Sequence, residues 1–319
     1  MEVIVVTGAG GYLVSHLIPE LLNQNFKVYA IDIKEHVLLL DNEQQSKLIF
    51  IKEEFRKAKK KIVQLLSKED ATISCVIHFA GISDVDMCKA NPATAYRENV
   101  NLTLEVLEFC RKNNIHKFLF PSTALIYGEH RANHVSTEDS LINPLNFYAW
   151  TKYIAEKTIE SYCTVFGLQA TVMRFNNIIG HPLKKGTILS DIYMQIRNGK
   201  KEVIIKDGNP VRDFIFIKDA VSAVILLLKM DTSSDFDVYN VSSGIGISAL
   251  ELACIVCSFN DLPVSIVKSQ KPLEKKTPTL VLDNSKLKKA GWSLRYSIEE
   301  SIKQINRNVH DKLEEKITT

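Results

Sequence analysis

Short β-branched or aromatic runs alternate with longer stretches of helical apolar spacing over most of the chain, and this alternation sets the first expectations. The runs "VIVVT" (3–7), "KVYAID" (27–32), "KLIFI" (47–51), "CVIHFA" (75–80), "KFLFPS" (117–122) and "ATVMRF" (170–175) predict strands. Between them, 92–112 and 147–166 carry apolar residues at three- and four-residue intervals and predict helices. Alternation of this kind requires right-handed crossovers and a parallel sheet with helices on both faces. The expected class is therefore α/β, a doubly wound parallel sheet that binds ligands beyond the carboxyl ends of its strands. After about residue 175 the pattern loosens, 211–228 restores a strand and a helix, and a smaller, sequence-discontinuous α/β lobe is expected from the rest. The last dozen residues, "NVHDKLEEKITT", are polar and expected to fray.

The first strand leads into "VTGAGGYLVSHL" (6–17), with Thr7 to Gly11 as a turn and an amphipathic helix from Tyr12. A strand-to-helix turn aims backbone N–H groups and the positive end of the helix dipole at one point, which favours a pyrophosphate. Gly8 permits the tight turn, and Gly11 leaves no Cβ between backbone and phosphates. Val14 stands where such loops carry a third glycine for close packing of helix on strand. Asp32 ends the second strand about twenty residues beyond the loop, where a carboxylate accepts from both ribose hydroxyls and repels a 2′-phosphate. NAD is thus expected rather than NADP. An ordinary βα turn with surplus glycines and a strand-end Asp closing a turn would also write these residues.

Composition narrows the class. A chain of 319 residues buries a substantial core, and a net charge of +3 with 24% charged residues gives no polyanion footprint. The densest basic stretch, "KEEFRKAKKK" (52–61), contains acids and reads as a solvated helix start, so no nucleic-acid partner is expected. No apolar run reaches membrane-spanning length and no signal-peptide pattern opens the chain, so a cytoplasmic protein without a membrane partner is expected. Cys75, Cys88, Cys110, Cys163, Cys254 and Cys257 read as reduced and mostly buried; Cys254-x-x-Cys257 lacks a second pair, and no metal site is expected.

In "FYAWTKYIAEK" (147–157), Tyr148 and Lys152 stand four apart in a predicted helix and share one face. An ammonium beside a phenol stabilises the phenolate, which predicts a lowered Tyr148 pKa and proton transfer near neutral pH. In "FLFPSTALIYG" (118–128) a buried strand ends in Ser122 and Thr123, whose hydroxyls could share a hydrogen bond with the group that Tyr148 deprotonates.

Thr7-Gly8-x-x-Gly11, Asp32, "HFAG" (78–81), "NVN" (99–101), "STALIYG", Tyr148-x-x-x-Lys152, "RFNN" (174–177) and "RDF" (212–214) follow the order and spacing of the extended short-chain dehydrogenase/reductase family. Within it the chain resembles the NAD-dependent nucleotide-sugar epimerase/dehydratase branch over residues 1 to 300. The resemblance implies a Rossmann dinucleotide-binding domain over 1–174 and 212–241 and a nucleotide-sugar lobe over 175–211 and 242–319. It implies Tyr148 as general acid/base, Lys152 as its electrostatic partner and a ribose ligand, and Thr123 as the third catalytic residue. Gly8, Gly11, Tyr12, Leu13, Asp32, Glu54, Phe55, Ala80, Gly81 and Asn99 join Lys152 around NAD. Thr123, Tyr148, Asn177 and Arg212 fall to the substrate, the last two on its diphosphate, where a guanidinium suits both charge and geometry. A turn residue at Asn177 and an Arg212 partnered by Asp213 are the structural alternatives, and His78 reads as a packed strand-end residue. Helices 92–112 and 147–166 resemble the pair through which relatives form homodimers.

Three features depart from the family pattern: Val14, Glu54-Phe55 in place of Asp-Ile or Asp-Leu, and "KPLEKKTP" (271–278), which offers lysines where relatives have an Arg before Gly-Asp. Dehydratases of the branch follow the active-site Thr with Asp-Glu and decarboxylases place a Glu two positions on, whereas this chain has Ala124-Leu125. The expected activity is a 4-epimerase of nucleoside-diphosphate sugars, with a 4-keto(-6-deoxy) nucleotide-sugar reductase using NADH or NADPH as the alternative. A non-enzymatic dinucleotide sensor is a more distant reading, against which the intact Thr123, Tyr148 and Lys152 argue.

Overall fold

The computed structural model describes residues 2–34, 38, 40–129, 134–231, 234–266 and 279–314, with side chains to 309. The chain runs β1 (Val3–Thr7), α1 (Val14–Asn23), β2 (Lys27–Asp32), α2 (Asn42–Lys47), β3 (Leu48–Lys52), α3 (Phe55–Glu69), β4 (Ile73–His78), α4 (Val85–Ala90) and α5 (Pro92–Tyr96). It continues through α6 (Leu102–Lys112), β5 (Lys117–Thr123), β6 (Val135–Ser136), α7 (Phe147–Phe166), β7 (Gln169–Phe175), β8 (Asn177–Ile179), α8 (Ile188–Arg197), β9 (Val203–Ile205) and β10 (Val211–Phe216). After these come α9 (Ile217–Lys229), β11 (Phe236–Val241), β12 (Gly246–Ser248), α10 (Ala249–Ser258), β13 (Val264–Ile266), β14 (Thr279–Leu282), α11 (Ser285–Lys289) and α12 (Ile298–Glu314).

Seven strands form one sheet in the order β3-β2-β1-β4-β5-β7-β11, and β1 to β5 and β7 pair in parallel. Strand order steps outward in one direction from β1 and in the other from β4, which opens a ligand crevice at their carboxyl ends. Burial of both faces explains the β-branched run of β1, in which Val3, Ile4, Val5 and Val6 are fully buried. Val3 and Val5 join Phe55 and Ile62 of α3, Val106 and Phe109 of α6, and Ile159 of α7 in one core. Side chains alternate across a strand, so Ile4 and Val6 point to the opposite face. Helix α7 is specified at both ends: the Asn146 side chain accepts from the Ala149 N–H, and Gly167 stops the helix with φ +69°.

The chain divides into two compact units. One comprises Met1–Tyr127, Leu141–Phe175 and Val221–Tyr239; the other comprises Gly128–Ser140, Asn176–Ala220 and Asn240–Thr319. The boundaries differ from the expected ones at 212–220, which belong to the second unit because β10 pairs with β12, β14 and β8 rather than with the seven-stranded sheet. The excursion 128–140 joins the second unit because β6 pairs with β14. Within that unit the larger sheet has the order β12-β10-β14-β6 with β8 on β10, and β9 pairs with β13.

Other corrections are local. The stretch 92–112 is helical throughout, as expected, but holds a π-helical turn over Arg97–Asn101 between α5 and α6. Helix α1 begins at Val14, two residues later than the apolar pattern suggests, with Tyr12 and Leu13 still in the turn. The polar C-terminal stretch holds helix as far as Glu314. Among the described residues no helix is long and apolar enough to cross a membrane.

Candidate active site

The β1–α1 turn is built around glycine geometry. Gly8 has φ +73°, and a Cβ on it would lie 2.6 Å from the Phe79 carbonyl carbon and the Ala80 nitrogen, so the turn packs backbone to backbone on the end of β4. The Gly11 N–H donates to the Gly8 carbonyl at 2.9 Å, and a Cβ on Gly11 would meet that oxygen at 2.9 Å. Gly11 is therefore required by the turn itself, a reason nearer to hand than clearance for phosphates. Val14 is buried as the first residue of α1, and in its first turn the Ser15 and Leu17 N–H groups donate to the Gly11 and Leu13 carbonyls, each at 3.0 Å. Asp32 accepts from the Gly10 N–H at 2.9 Å through Oδ2 and from the Lys34 N–H at 2.8 Å through Oδ1, so its carboxylate is held at the edge of the turn.

Ala80 and Gly81 follow β4 as expected, and the side chains beneath them form a buried polar chain. Thr103 Oγ1 donates to the Asn99 carbonyl at 2.7 Å, which leaves it to accept from His78 Nε2 at 3.2 Å. His78 Nδ1 then accepts from Thr7 Oγ1 at 2.7 Å, and Thr7 Oγ1 accepts from the Ala80 N–H at 3.2 Å. Burial pushes the His78 imidazole down to about 3, with the Lys152 charge adding to the shift, so His78 is a neutral packing residue. Asn99 is committed to the chain: Oδ1 accepts from the Ile82 N–H at 2.7 Å, while Nδ2 donates to the Ile82 carbonyl at 3.0 Å and to Thr151 Oγ1 at 2.9 Å. Its side chain brackets the Gly81–Ile82 loop, a role that the expected cofactor contact did not include. The π-helical turn supplies the extra residue that carries Asn99 inward. Phe55 also differs from expectation, because its ring is buried edge-on against Phe109 at 5.5 Å, leaving only backbone there for a ligand.

The structure brings Thr123, Tyr148 and Lys152 together in the first unit. Thr123, the last residue of β5, has its hydroxyl beside the Tyr148 phenol. Lys152 lies one turn along α7, with Nζ 4.2 Å from the centre of the Phe120 ring. Tyr148 packs against Cys88 and Ala95, with Ile82, Val85, Leu125 and Phe147 around them. The expected depression of the Tyr148 pKa is absent: burial raises it to about 12, opposed by the nearby Thr123 hydroxyl. Burial also lowers Lys152 to about 7, against an upward pull from Glu156. Desolvation outweighs helical proximity for both groups, because each charged form has lost its water. Beside them the Ser122 hydroxyl is buried with no partner among the described residues, an orphan of the kind a bound polar group satisfies.

Two acids escaped the sequence reading. Glu156 on α7 is buried and accepts from Arg174 Nη2 at 2.8 Å and Nε at 3.3 Å. The signal available for it was an acid four residues past Lys152 on the same helical stripe. In the second unit, Arg212 Nη2 meets Glu129 Oε1 at 2.6 Å rather than Asp213. The Asp213 carboxylate instead accepts from Ser243 Oγ at 2.6 Å and from the N–H groups of Ser243 and Gly244 at 2.9 and 3.1 Å. Asn177 donates to Asn176 Oδ1 at 3.0 Å and to the Asp213 carbonyl at 3.2 Å; its strand β8 pairs with β10, which carries Arg212. The stretch "KPLEKKTP" lies outside the described residues.

Residues 4–242 match the model of the NAD dependent epimerase/dehydratase family. A UDP-glucose 4-epimerase of Corynebacterium glutamicum is 30% identical over 236 residues, covering 68% of this chain and 70% of that protein. The trifunctional UDP-glucose 4,6-dehydratase/UDP-4-keto-6-deoxy-D-glucose 3,5-epimerase/UDP-4-keto-L-rhamnose-reductase of Arabidopsis thaliana is 27% identical over 311 residues. That match takes 94% of this chain and 46% of the plant protein, so the chain spans about half its length. The solved UDP-N-acetylglucosamine 4-epimerase from Methanobrevibacter ruminantium M1, in complex with UDP-N-acetylmuramic acid, aligns with a TM-score of 0.80 at 26% identity, covering 96% of this chain and 99% of that one.

Proposed function

Because the chain belongs to the NAD-dependent epimerase/dehydratase family, we propose that it interconverts a nucleoside-diphosphate sugar and its C4 epimer. It is an enzyme of the extended short-chain dehydrogenase/reductase type and uses NAD. The observation that carries the finer reading is the Thr123 hydroxyl beside the buried Tyr148 phenol, with Ala124 and Leu125 next along the chain. A proton-transfer group is in place, and neither residue after Thr123 offers a carboxyl to assist elimination.

The first unit fits the cofactor on three counts. Gly8 and Gly11 leave no room for a Cβ, Asp32 is fixed at the edge of their turn, and the buried Ser122 hydroxyl has no partner among the described residues. Gly8, Gly11, Tyr12 and Leu13 hold the pyrophosphate through backbone, Asp32 takes the adenosine ribose, the Glu54–Phe55 backbone borders the adenine, and Ala80 and Gly81 border the nicotinamide half. Bound NAD supplies a hydride acceptor and donor for the sugar C4. Tyr148 takes the proton from the C4 hydroxyl and later returns it, and Thr123 steers that hydroxyl onto the phenol oxygen. Lys152 favours the phenolate with its ammonium and contributes a hydrogen bond to the nicotinamide ribose. Burial alone would keep Tyr148 protonated, so the phenolate depends on that neighbouring charge.

Asn177 and Arg212 take the substrate diphosphate, for which Arg212 exchanges its Glu129 partner for phosphate oxygens. The enzyme works as a homodimer through α6 and α7, which leave Leu104, Trp150, Val165 and Phe166 between 41% and 67% exposed. Sedimentation equilibrium of Trp150→Glu beside the parent protein tests this, and an unchanged mass in both would remove the dimer.

The activity is tested by incubating the purified protein with UDP-glucose and with UDP-N-acetylglucosamine and resolving the products by chromatography. The C4 epimer is expected from at least one of them, with constant reduced-cofactor absorbance. Failure of both, together with steady oxidation of NADH or NADPH by a 4-keto-6-deoxy nucleotide sugar, would establish the reductase instead.

A further inference from the structure

Tyr148, Lys152 and Glu156 recur every four residues along α7, so they form one stripe. The stripe faces inward: the Glu156 side chain is 2% exposed and that of its partner Arg174 is 7% exposed. Arg174 grips the Glu156 carboxylate through Nε and Nη2 and donates through Nη1 to the Tyr127 hydroxyl at 2.8 Å. Its guanidinium also lies over the Tyr127 ring, 5.1 Å from the centre. Tyr127 ends the helical turn Ala124–Tyr127 that begins directly after Thr123. Arg174 stands on β7 opposite Ser122 of β5, one register position before the pairing of Thr123 with Phe175. One ion pair thus fastens the helix that carries Tyr148 and Lys152 to the strand and turn that flank Thr123.

Stability is a weak reason for such a pair. Two desolvated charges gain little over apolar residues of the same volume, whereas removal of one partner strands the other. The position of Glu156, one turn from Lys152, gives a better reason. The groups that act on Lys152 come from four elements: Glu156 on α7, Cys88 on α4, neutral His78 on β4, and the Phe120 ring on β5. Glu156 is the acid of this set. We infer that Glu156 is a positioning residue, clamped by Arg174 and Tyr127 so that its carboxylate keeps Lys152 charged beside Tyr148. The inference rests on the reading of Tyr148 and Lys152 as the proton-transfer pair. Burial draws the Lys152 ammonium down to about 7, and Glu156 opposes that fall.

Charge arithmetic separates this role from a merely structural one. Glu156→Gln leaves Arg174 as an uncompensated cation, so Lys152 loses its proton at lower pH. Arg174→Gln leaves an uncompensated carboxylate and moves Lys152 the other way. The double variant removes both charges, so Lys152 falls between its parent value and that of Glu156→Gln. The direct measurement is a pH titration of lysine Cε by carbon-13 NMR on the full chain, with the Lys152 signal identified by its loss in Lys152→Met. Opposite shifts of about one pH unit are expected in the two single variants, with the alkaline limb of kcat/KM following them. Lowered melting temperatures in all three variants with an unmoved Lys152 midpoint would reduce the pair to a structural tie. Because the double variant carries no buried net charge, it keeps the comparison available if a single variant fails to fold. Normal turnover by Lys152→Met would instead overturn the reading of the proton-transfer pair, whatever the titration shows.

Discussion

Tyr148 sits in an environment that by itself favours the protonated phenol: burial raises it to about 12, and the nearby Thr123 hydroxyl only partly opposes that rise. An enzyme that must deprotonate this group relies on neighbouring charge, and Lys152 is placed one turn away to provide it. Tyr148→Phe keeps the ring and removes only the proton donor, so turnover is expected to fall about 10²- to 10⁴-fold while NAD affinity stays within a few-fold. Lys152→Met is expected to damage both. Calorimetry and initial rates on the same preparations check this, and near-normal turnover by Tyr148→Phe would remove the phenol from the mechanism. Spacing made Tyr148 and Lys152 legible in the sequence, and a strand-end position did the same for Thr123. Their ionisation was not legible, because spacing on a helix fixes which side chains are neighbours and says nothing of how much water each has lost. Asn99 shows the same limit: "NVN" marks the position, but only the fold reveals an amide bracketing Ile82 and Thr151.

Among the elements, α7 was legible in the sequence at both its observed ends and α1 to within two residues of its start, since both are bounded by glycines or a capping Asn and carry long apolar patterns. The helix over 92–112 was legible at both ends, and only the π-helical turn inside it was not, because that turn leaves the apolar stripe unbroken. The β1–α1 turn decides a prediction about its own glycines. A branched side chain at Gly11 would meet the Gly8 carbonyl, so Gly11→Val is expected to weaken NAD binding by roughly 3 kcal/mol, about a hundredfold. Val14 packs under the start of α1 instead. Val14→Gly is expected to leave NAD affinity within a few-fold while lowering stability by about 2–4 kcal/mol, from lost burial and poorer helix propensity. Calorimetric titration with thermal unfolding distinguishes the two sites, and unimpaired NAD binding by Gly11→Val would contradict this account of the loop.

For the whole molecule, the doubly wound sheet was legible because six of its seven strands are runs of several apolar residues; β11, interrupted by Asp237 and Asn240, was not legible. The strands of the second unit run to six residues in β10 but only two to four in β6, β8, β9, β12, β13 and β14, too short for a period to show. That unit also holds Asn177 and Arg212, the residues proposed for the diphosphate, and the Arg212–Glu129 contact joins segments 83 residues apart. The central claim concerns the fate of one hydrogen. Epimerisation by transient oxidation removes hydride from the sugar C4 and returns it to the same carbon, so turnover of a UDP-sugar deuterated at C4 tests the account most directly. Retention of the deuterium at C4 of the epimer, without entry of solvent hydrogen and without net change in reduced cofactor, is the predicted result. Loss of the label to solvent, or its replacement by hydride from added NADH or NADPH, would contradict it.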